Sequence, residues 1–414
     1  MTAAPEVVIT GMGMTTPIGG DLASTWQAAL AGESGARTLD NDWAATYDLP
    51  VSFAAQVKVG PSEVLSRPEM RRMDPSAQYA VIAMREAWAD AGAPDLAPER
   101  LGAVVSSGIG GIWTTLDAWD TLREKGARRV MPMTVPMLMP NSPAAYVELE
   151  LGARAGAHAL VSACASGAEA IGYAAEMIRK GRADVVVAGG TEAAVHPMPL
   201  AAFAASRTLS TRNDDPAGAS RPYDIERDGF VLGEGAGILV LESAEHAAAR
   251  GARVYGHVAG VGLSSDGYHL TSPDPEGRGQ VAAMRAALLD AGVAAVDVVH
   301  VNAHATSTVV GDLIEARSVR EVLGDAADRV ALSATKSMTG HLLGGAGAVE
   351  TIFTVLALQH RTAPPTINVS QPDPDLVLDL VRGEPRALPS GQVAAINNSF
   401  GFGGHNVALV VTSA

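Results

Sequence analysis

The chain alternates between strand-like and helix-like apolar patterns. Glu6-Val7-Val8-Ile9-Thr10-Gly11-Met12-Gly13 opens as a buried strand running into a glycine turn, and a helical pattern follows from Leu22 to Leu30. A second helical pattern covers Ala77 to Gly92 and leads to an apolar strand, Leu101 to Ser106. Ala157 to Ala163 is small and apolar, as expected of a strand buried on both faces; beyond it Ala168, Ile171, Ala175 and Ile178 recur at helical spacing as far as Gly181. Ala183 to Ala188 is a continuous β run, Phe230 to Glu242 a glycine-laced strand, and Glu245 to Arg250 a short helix. From Val254 the pattern begins again. Val254 to Leu263 echoes the opening strand and its Gly-x-Gly, Val298 to Ala303 matches the Leu101 strand in order, and Gln392 to Asn397 matches Ala183 to Gly190. Two similar series of this kind predict a duplicated α/β fold, divided near Arg253 into halves 1–253 and 254–414.

Composition narrows the class. With 47% hydrophobic and 18% charged residues, the chain has the makings of a large core and is not a disordered one. No apolar stretch free of charges and turn residues is long enough to span a bilayer, and Met1 to Val8 lacks a basic region followed by an apolar one; the expectation is a soluble, cytoplasmic protein without membrane insertion. A net charge of −15 argues against nucleic-acid binding, so an acidic partner needs a local basic patch. Arg67, Arg71 and Arg72, and further on Lys125, Arg128 and Arg129, read in the first place as solvated faces. The Met- and Pro-rich segment Met131 to Pro143 reads as core filling rather than as ligand lining.

The single cysteine, Cys164, lies where a strand-like run meets a helix-like one. A helix start offers unsatisfied N–H groups and a positive dipole end, which favour a thiolate and can stabilise an oxyanion. The second half places three more polar motifs at strand ends, where open α/β sheets bind ligands. These are Asn302-Ala303-His304-Ala305-Thr306, Lys336-Ser337-Met338-Thr339-Gly340-His341, and Asn398-Ser399-Phe400-Gly401-Phe402-Gly403-Gly404. Cysteine with two histidines fits an acyltransferase or a hydrolase; His304 and His341 show no metal-ligand spacing, so no metal is expected. The opening Gly-x-Gly lacks the full dinucleotide fingerprint and reads as close packing.

Together with Ser162-Ala163-Cys164-Ala165-Ser166-Gly167, these motifs resemble, in order and over essentially the whole chain, the β-ketoacyl-acyl carrier protein synthases of the thiolase-like fold. The Cys-His-His set is similar to the elongating, type II branch, and the alanine-rich character to actinobacterial members. The resemblance implies two halves in a five-layered α-β-α-β-α sandwich and a decarboxylative Claisen condensation between an acyl group on Cys164 and malonyl-acyl carrier protein. His304 and His341 would then hydrogen-bond the thioester oxygen, the N–H groups of Cys164 and Phe402 would form the oxyanion hole, and Lys336 and Glu350 would support the site. Ile109, Phe203, Thr306, Thr308, Phe400 and Phe402 would contact substrate. Arg67, Arg71, Arg72, Arg128, Arg129 and Arg207 would dock an acidic carrier protein. No cofactor is implied, and family members are homodimers. Relatives have glycine and proline where this chain has Ala305 and Val309, and Pro68 and Glu69 interrupt the basic run. Other readings within the resemblance are a ketosynthase subunit of a type II polyketide synthase and a non-catalytic subunit of such a complex; retention of Cys164 weighs against the second.

Overall fold

The computed structural model describes residues 5–414, so the first four residues of the opening segment lie outside it. Ten strands carry the architecture: β1 (Val7–Thr15), β2 (Leu101–Ser106), β3 (Ala157–His158), β4 (Val185–Glu192), β5 (Gly235–Ser243), β6 (Gly256–Ser265), β7 (Val298–Asn302), β8 (Ala331–Ser333), β9 (Ala394–Gly401) and β10 (His405–Ser413). They run in the order β8-β7-β9-β10-β6-β1-β5-β4-β2-β3. The second five therefore repeat the order of the first: 6-10-9-7-8 against 1-5-4-2-3. Pairing directions repeat as well, since β2 is parallel to β3 and β4, as β7 is to β8 and β9, while the remaining pairs within each half are antiparallel. The halves meet through two paired positions, Val8 with His257 and Ile9 with Gly256.

Six helices complete the layers: α1 (Pro75–Asp90), α2 (Ser142–Leu151), α3 (Ser166–Arg179), α4 (Arg278–Ala291), α5 (Gly311–Leu323) and α6 (Ala346–His360). Helix α1 packs on β1, β4 and β5 and α2 on β2, whereas α4 packs on β6, β9 and β10 with α5 beside it. Helices α3 and α6 pack on each other and touch strands of both halves. This is the five-layered arrangement, with α3 and α6 in the middle. A helix between two sheets has no solvent face and must be apolar all round; α6 accordingly buries every residue from Ala346 to Leu358, Glu350 included.

The Gly-x-Gly echo has a packing cause. A Cβ at Gly11 or Gly13 would overlap the Ala87 or Ala83 carbonyl oxygen of α1, and one at Gly260 or Gly262 would overlap those of Ala287 or Ala283 in α4. The glycines let each half's outer helix lie directly on its first strand. They form no turn: β1 continues through them to Thr15 with a bulge between Ile9 and Gly11.

Two expectations fail. Ala157 to Ala163 is not a strand buried on both faces; only Ala157 and His158 pair, with Ala103 and Val104, and they form a half-buried edge because no strand lies beyond them. Met131 to Pro143 does not fill the core. Of its methionines only Met137 is buried, while Met131, Met133 and Met139 are exposed together with Val135.

Candidate active site

Cys164 is the middle residue of a 3-10 turn, Ala163–Ala165, directly ahead of α3. Ala163 has φ 52°, a left-handed conformation that costs a non-glycine residue about 1–3 kcal/mol and persists where its surroundings hold it. Here Ser166 Oγ donates to the Ala163 carbonyl at 2.7 Å and accepts from the Ser162 N–H at 3.0 Å. Gly401 lies so close that a Cβ would overlap the Ser162 carbonyl oxygen and stand 3.2 Å from the Cys164 nitrogen. The backbone N–H groups of Phe402 and of Cys164 itself lie close enough to the thiol to favour its ionised form. Burial nevertheless pushes the thiol up to about 12, against the opposing effects of Lys336 and these N–H groups. The cysteine thus lies two residues ahead of the helix proper, which begins at Ser166, and burial opposes the thiolate that a helix start favours.

His304 stands two residues after the end of β7, and His341 two residues after the short helix Lys336–Thr339 that follows β8. Their rings meet edge to face, with centroids 5.4 Å apart and planes at 85°. Phe400 lies against His304 at 5.8 Å and Phe230 against His341 at 5.4 Å. Burial first, and then the nearby Lys336, holds both histidines well below the usual imidazole range, so both rings are neutral. Lys336 Nζ stands 3.4 Å from His304 Nδ1. An ammonium can only donate, so Nδ1 accepts and the ring proton resides on Nε2.

Two buried carboxylates hold this group in place. Glu350 of α6 pairs with Lys336, both side chains being essentially without solvent contact. Burial pushes the Glu350 carboxyl up to about 7, opposed by the charge and hydrogen bond of Lys336. Glu315 of α5 accepts the N–H groups of His304 at 2.8 Å and Ala305 at 2.7 Å, and the Asn398 side-chain amide at 3.0 Å. Ala305 is buried and its N–H joins this arrangement, whereas Val309 is exposed.

Cys164, His304 and His341 line one cavity of about 530 Å³ with Ile109, Phe203, Thr306, Thr308, Phe400 and Phe402. Lys336 and Glu350 lie behind its wall, reaching it through His304. Arg207 stands at the cavity, whereas Arg67, Arg71, Arg72, Arg128 and Arg129 lie outside its lining; all six are exposed and make no ion pair among the described residues. Pro68 and Glu69 belong to the short helix Arg67–Met70, where Glu69 accepts the Ser66 N–H at 2.8 Å and pairs with Arg85 at 2.7 Å. They shape the turn that carries the three arginines. Sequence reasoning missed Glu315 and Glu192; the latter, the last residue of β4, is fully buried beside the thiol. A carboxylate closing an apolar strand was the available signal for Glu192.

Comparison with known proteins agrees with this arrangement. Residues 4–247 match the N-terminal domain of β-ketoacyl synthase and residues 255–370 its C-terminal domain. A 3-oxoacyl-[acyl-carrier-protein] synthase 2 of Mycobacterium bovis is 46% identical over 98% of this chain and 97% of its own length. One of Staphylococcus aureus is 46% identical over 99% of both. Among solved structures, a type II polyketide ketosynthase in complex with its acyl-carrier protein superposes with a TM-score of 0.90 at 31% identity, over 99% of this chain and 100% of that one.

Breaking a buried ion pair on one side leaves an uncompensated charge and costs about 3–5 kcal/mol. Lys336→Met is expected to lower unfolding stability by that amount in a urea titration. Lys336→Met with Glu350→Leu is expected to recover most of it without recovering activity.

Proposed function

The chain belongs to the β-ketoacyl synthase family, and on that footing we propose that it extends fatty-acyl chains by condensing an acyl group held on Cys164 with malonyl-acyl carrier protein, releasing carbon dioxide. The observation that carries this reading is the meeting of the thiol, two neutral imidazoles and the backbone of Cys164 and Phe402 in one cavity. In the first half-reaction the Cys164 sulfur attacks an acyl-carrier thioester, and its proton leaves with the carrier's thiol. The N–H groups of Cys164 and Phe402 receive the tetrahedral oxyanion. In the second, the malonyl carbon–carbon bond breaks and its electron pair moves into an enolate. His304, with its proton on Nε2, and His341 donate hydrogen bonds to that enolate oxygen; neutral rings suit donation without proton loss. The enolate carbon attacks the acyl-Cys164 carbonyl and expels the thiolate, which takes up a proton. The high affinity of the buried sulfur for that proton resets the site.

Ile109, Phe203 and Phe400 line the acyl path in this reading, Thr306 and Thr308 meet the carrier's prosthetic arm, and the six exposed arginines receive the acidic carrier protein. The reaction calls on no cofactor or metal. None of the helices among the described residues is long and apolar enough to cross a membrane, which fits a cytoplasmic enzyme. The polyketide reading has a structural neighbour at 31% identity, and the 46% identity to synthases of the other kind favours fatty-acid elongation. A homodimer accounts for the half-buried edge at β3 and for the exposed Val161 that follows it.

Incubation with hexanoyl-carrier protein is expected to add one acyl group to the parent protein and none to Cys164→Ala, as read by intact mass. Malonyl-carrier protein then converts the adduct to a β-ketoacyl-carrier product. Free hexanoic acid formed without malonyl consumption would instead indicate a hydrolase, and condensation only with a second subunit the polyketide reading. Sedimentation is expected to give twice the 42.4 kDa chain mass, and Val161→Asp to shift it toward one chain.

A further inference from the structure

Glu192 is a buried acid with no part in the mechanism above. It is the last residue of β4, the counterpart in strand order of the end of β9 that brings Gly401 to the thiol. Each of its oxygens accepts two hydrogen bonds. Oε1 receives Ser107 Oγ at 2.6 Å and the Ile109 N–H at 3.3 Å; Oε2 receives the Gly108 N–H at 2.9 Å and the Gly344 N–H at 3.0 Å. No cation pairs with it among the described residues. The neighbouring segments are pressed together around it: a Cβ at Gly108 would stand 2.9 Å from Oε2 and 3.2 Å from the Ala163 carbonyl oxygen. Ala163, before the cysteine, and Leu343, before Gly344, are both left-handed at φ 52° and 47°, and both line the cavity with Ile109. The carboxylate thus ties the Ile109 turn to the Leu343 turn, and both pack on the cysteine turn.

We propose that Glu192 is a positioning residue for Cys164: its carboxylate clamps the two turns packed around the cysteine and sets a negative charge there that opposes formation of the thiolate. The proposal rests on the condensing reading only for its purpose. A buried carboxylate held by four neutral donors keeps its charge uncompensated, and that charge opposes a thiolate nearby. Burial pushes Glu192 up to about 7, so it becomes ionised as pH rises through neutrality, and in that state it raises the thiol. The other groups facing the thiol are Lys336, which favours the thiolate, and the neutral His304 and His341, with Glu350 paired to Lys336 behind them. These remain unchanged when Glu192 alone is altered.

The test is the rate of Cys164 alkylation by iodoacetamide between pH 6 and 9.5, which tracks the thiolate fraction. Parent protein is expected to show a rate rising with pH that flattens near pH 7, as Glu192 ionises, before resuming. Glu192→Gln is expected to match the parent within about twofold at pH 6 and to react about tenfold faster at pH 8.5, one unit of thiol shift. A gap of equal size at every pH would signal a loosened pocket alone, and superimposed profiles no coupling; either overturns the proposal. If Glu192→Gln does not fold, Ser107→Ala removes the shortest hydrogen bond to the carboxylate and is expected to move the flattening to higher pH. An unmoved flattening, or none in the parent, overturns it equally. Alkylation uses no carrier protein, so a bend without any acylation by thioesters would reject the condensing reading and leave this one standing.

Discussion

The site depends on one buried ion pair. Glu350 sits in the helix that both halves of the molecule pack against, where, apart from Thr351 and Thr354, the other buried residues from Ala346 to Leu358 are apolar or glycine. It is tolerable there because Lys336 reaches it from the turn after β8. Lys336 in turn stands next to His304 Nδ1 and lowers the proton affinity of both histidines and of the thiol. One ammonium thereby influences the charge state of the nucleophile and of both hydrogen-bond donors. A neutral side chain at position 336 would leave Glu350 uncompensated and His304 free to take either tautomer.

Duplication explains why these groups meet. The strand order repeats, so Cys164 after β3 has its structural counterpart in the Lys336–His341 segment after β8, and the Ser107–Ile109 turn after β2 has its counterpart at His304 after β7. Strand ends from both halves converge over the N-terminal ends of α3 and α6. The first half supplies the nucleophile and, through Glu192, a carboxylate without a cation; the second supplies the ammonium and the imidazoles. Each half alone has an incomplete site, and the paired arrangement sets opposite charges around a neutral thiol.

Much of this was legible in the sequence, and for identifiable reasons. Cysteine and histidine at the junctions of apolar runs and polar loops mark strand ends, and the Gly-x-Gly echo at Gly11 and Gly260 marks the repeat because helix packing demands it twice. What was not legible depends on neighbours far along the chain. Cys164 is enclosed by segments around residues 192, 343 and 402, and the burial that opposes its thiolate is not visible in the local pattern. Ala157 to Ala163 has the composition of a central strand and lies at an edge, since periodicity carries no information about sheet order. Met131 to Pro143 has the composition of a buried segment, yet Met131, Met133, Val135 and Met139 are exposed. Glu315 and Glu192 act largely through backbone N–H groups of distant segments, and residue type does not show which segments those are.

The central claim is that the resting site holds two neutral imidazoles, with the proton of His304 set on Nε2 by Lys336. Nitrogen NMR of the histidine-labelled protein, with His304 and His341 assigned by single substitution, tests it most directly. The account predicts neutral rings for both residues at pH 6, with His304 as the Nε2–H tautomer. An imidazolium signal from either ring at that pH, or an Nδ1–H tautomer at His304, would contradict it.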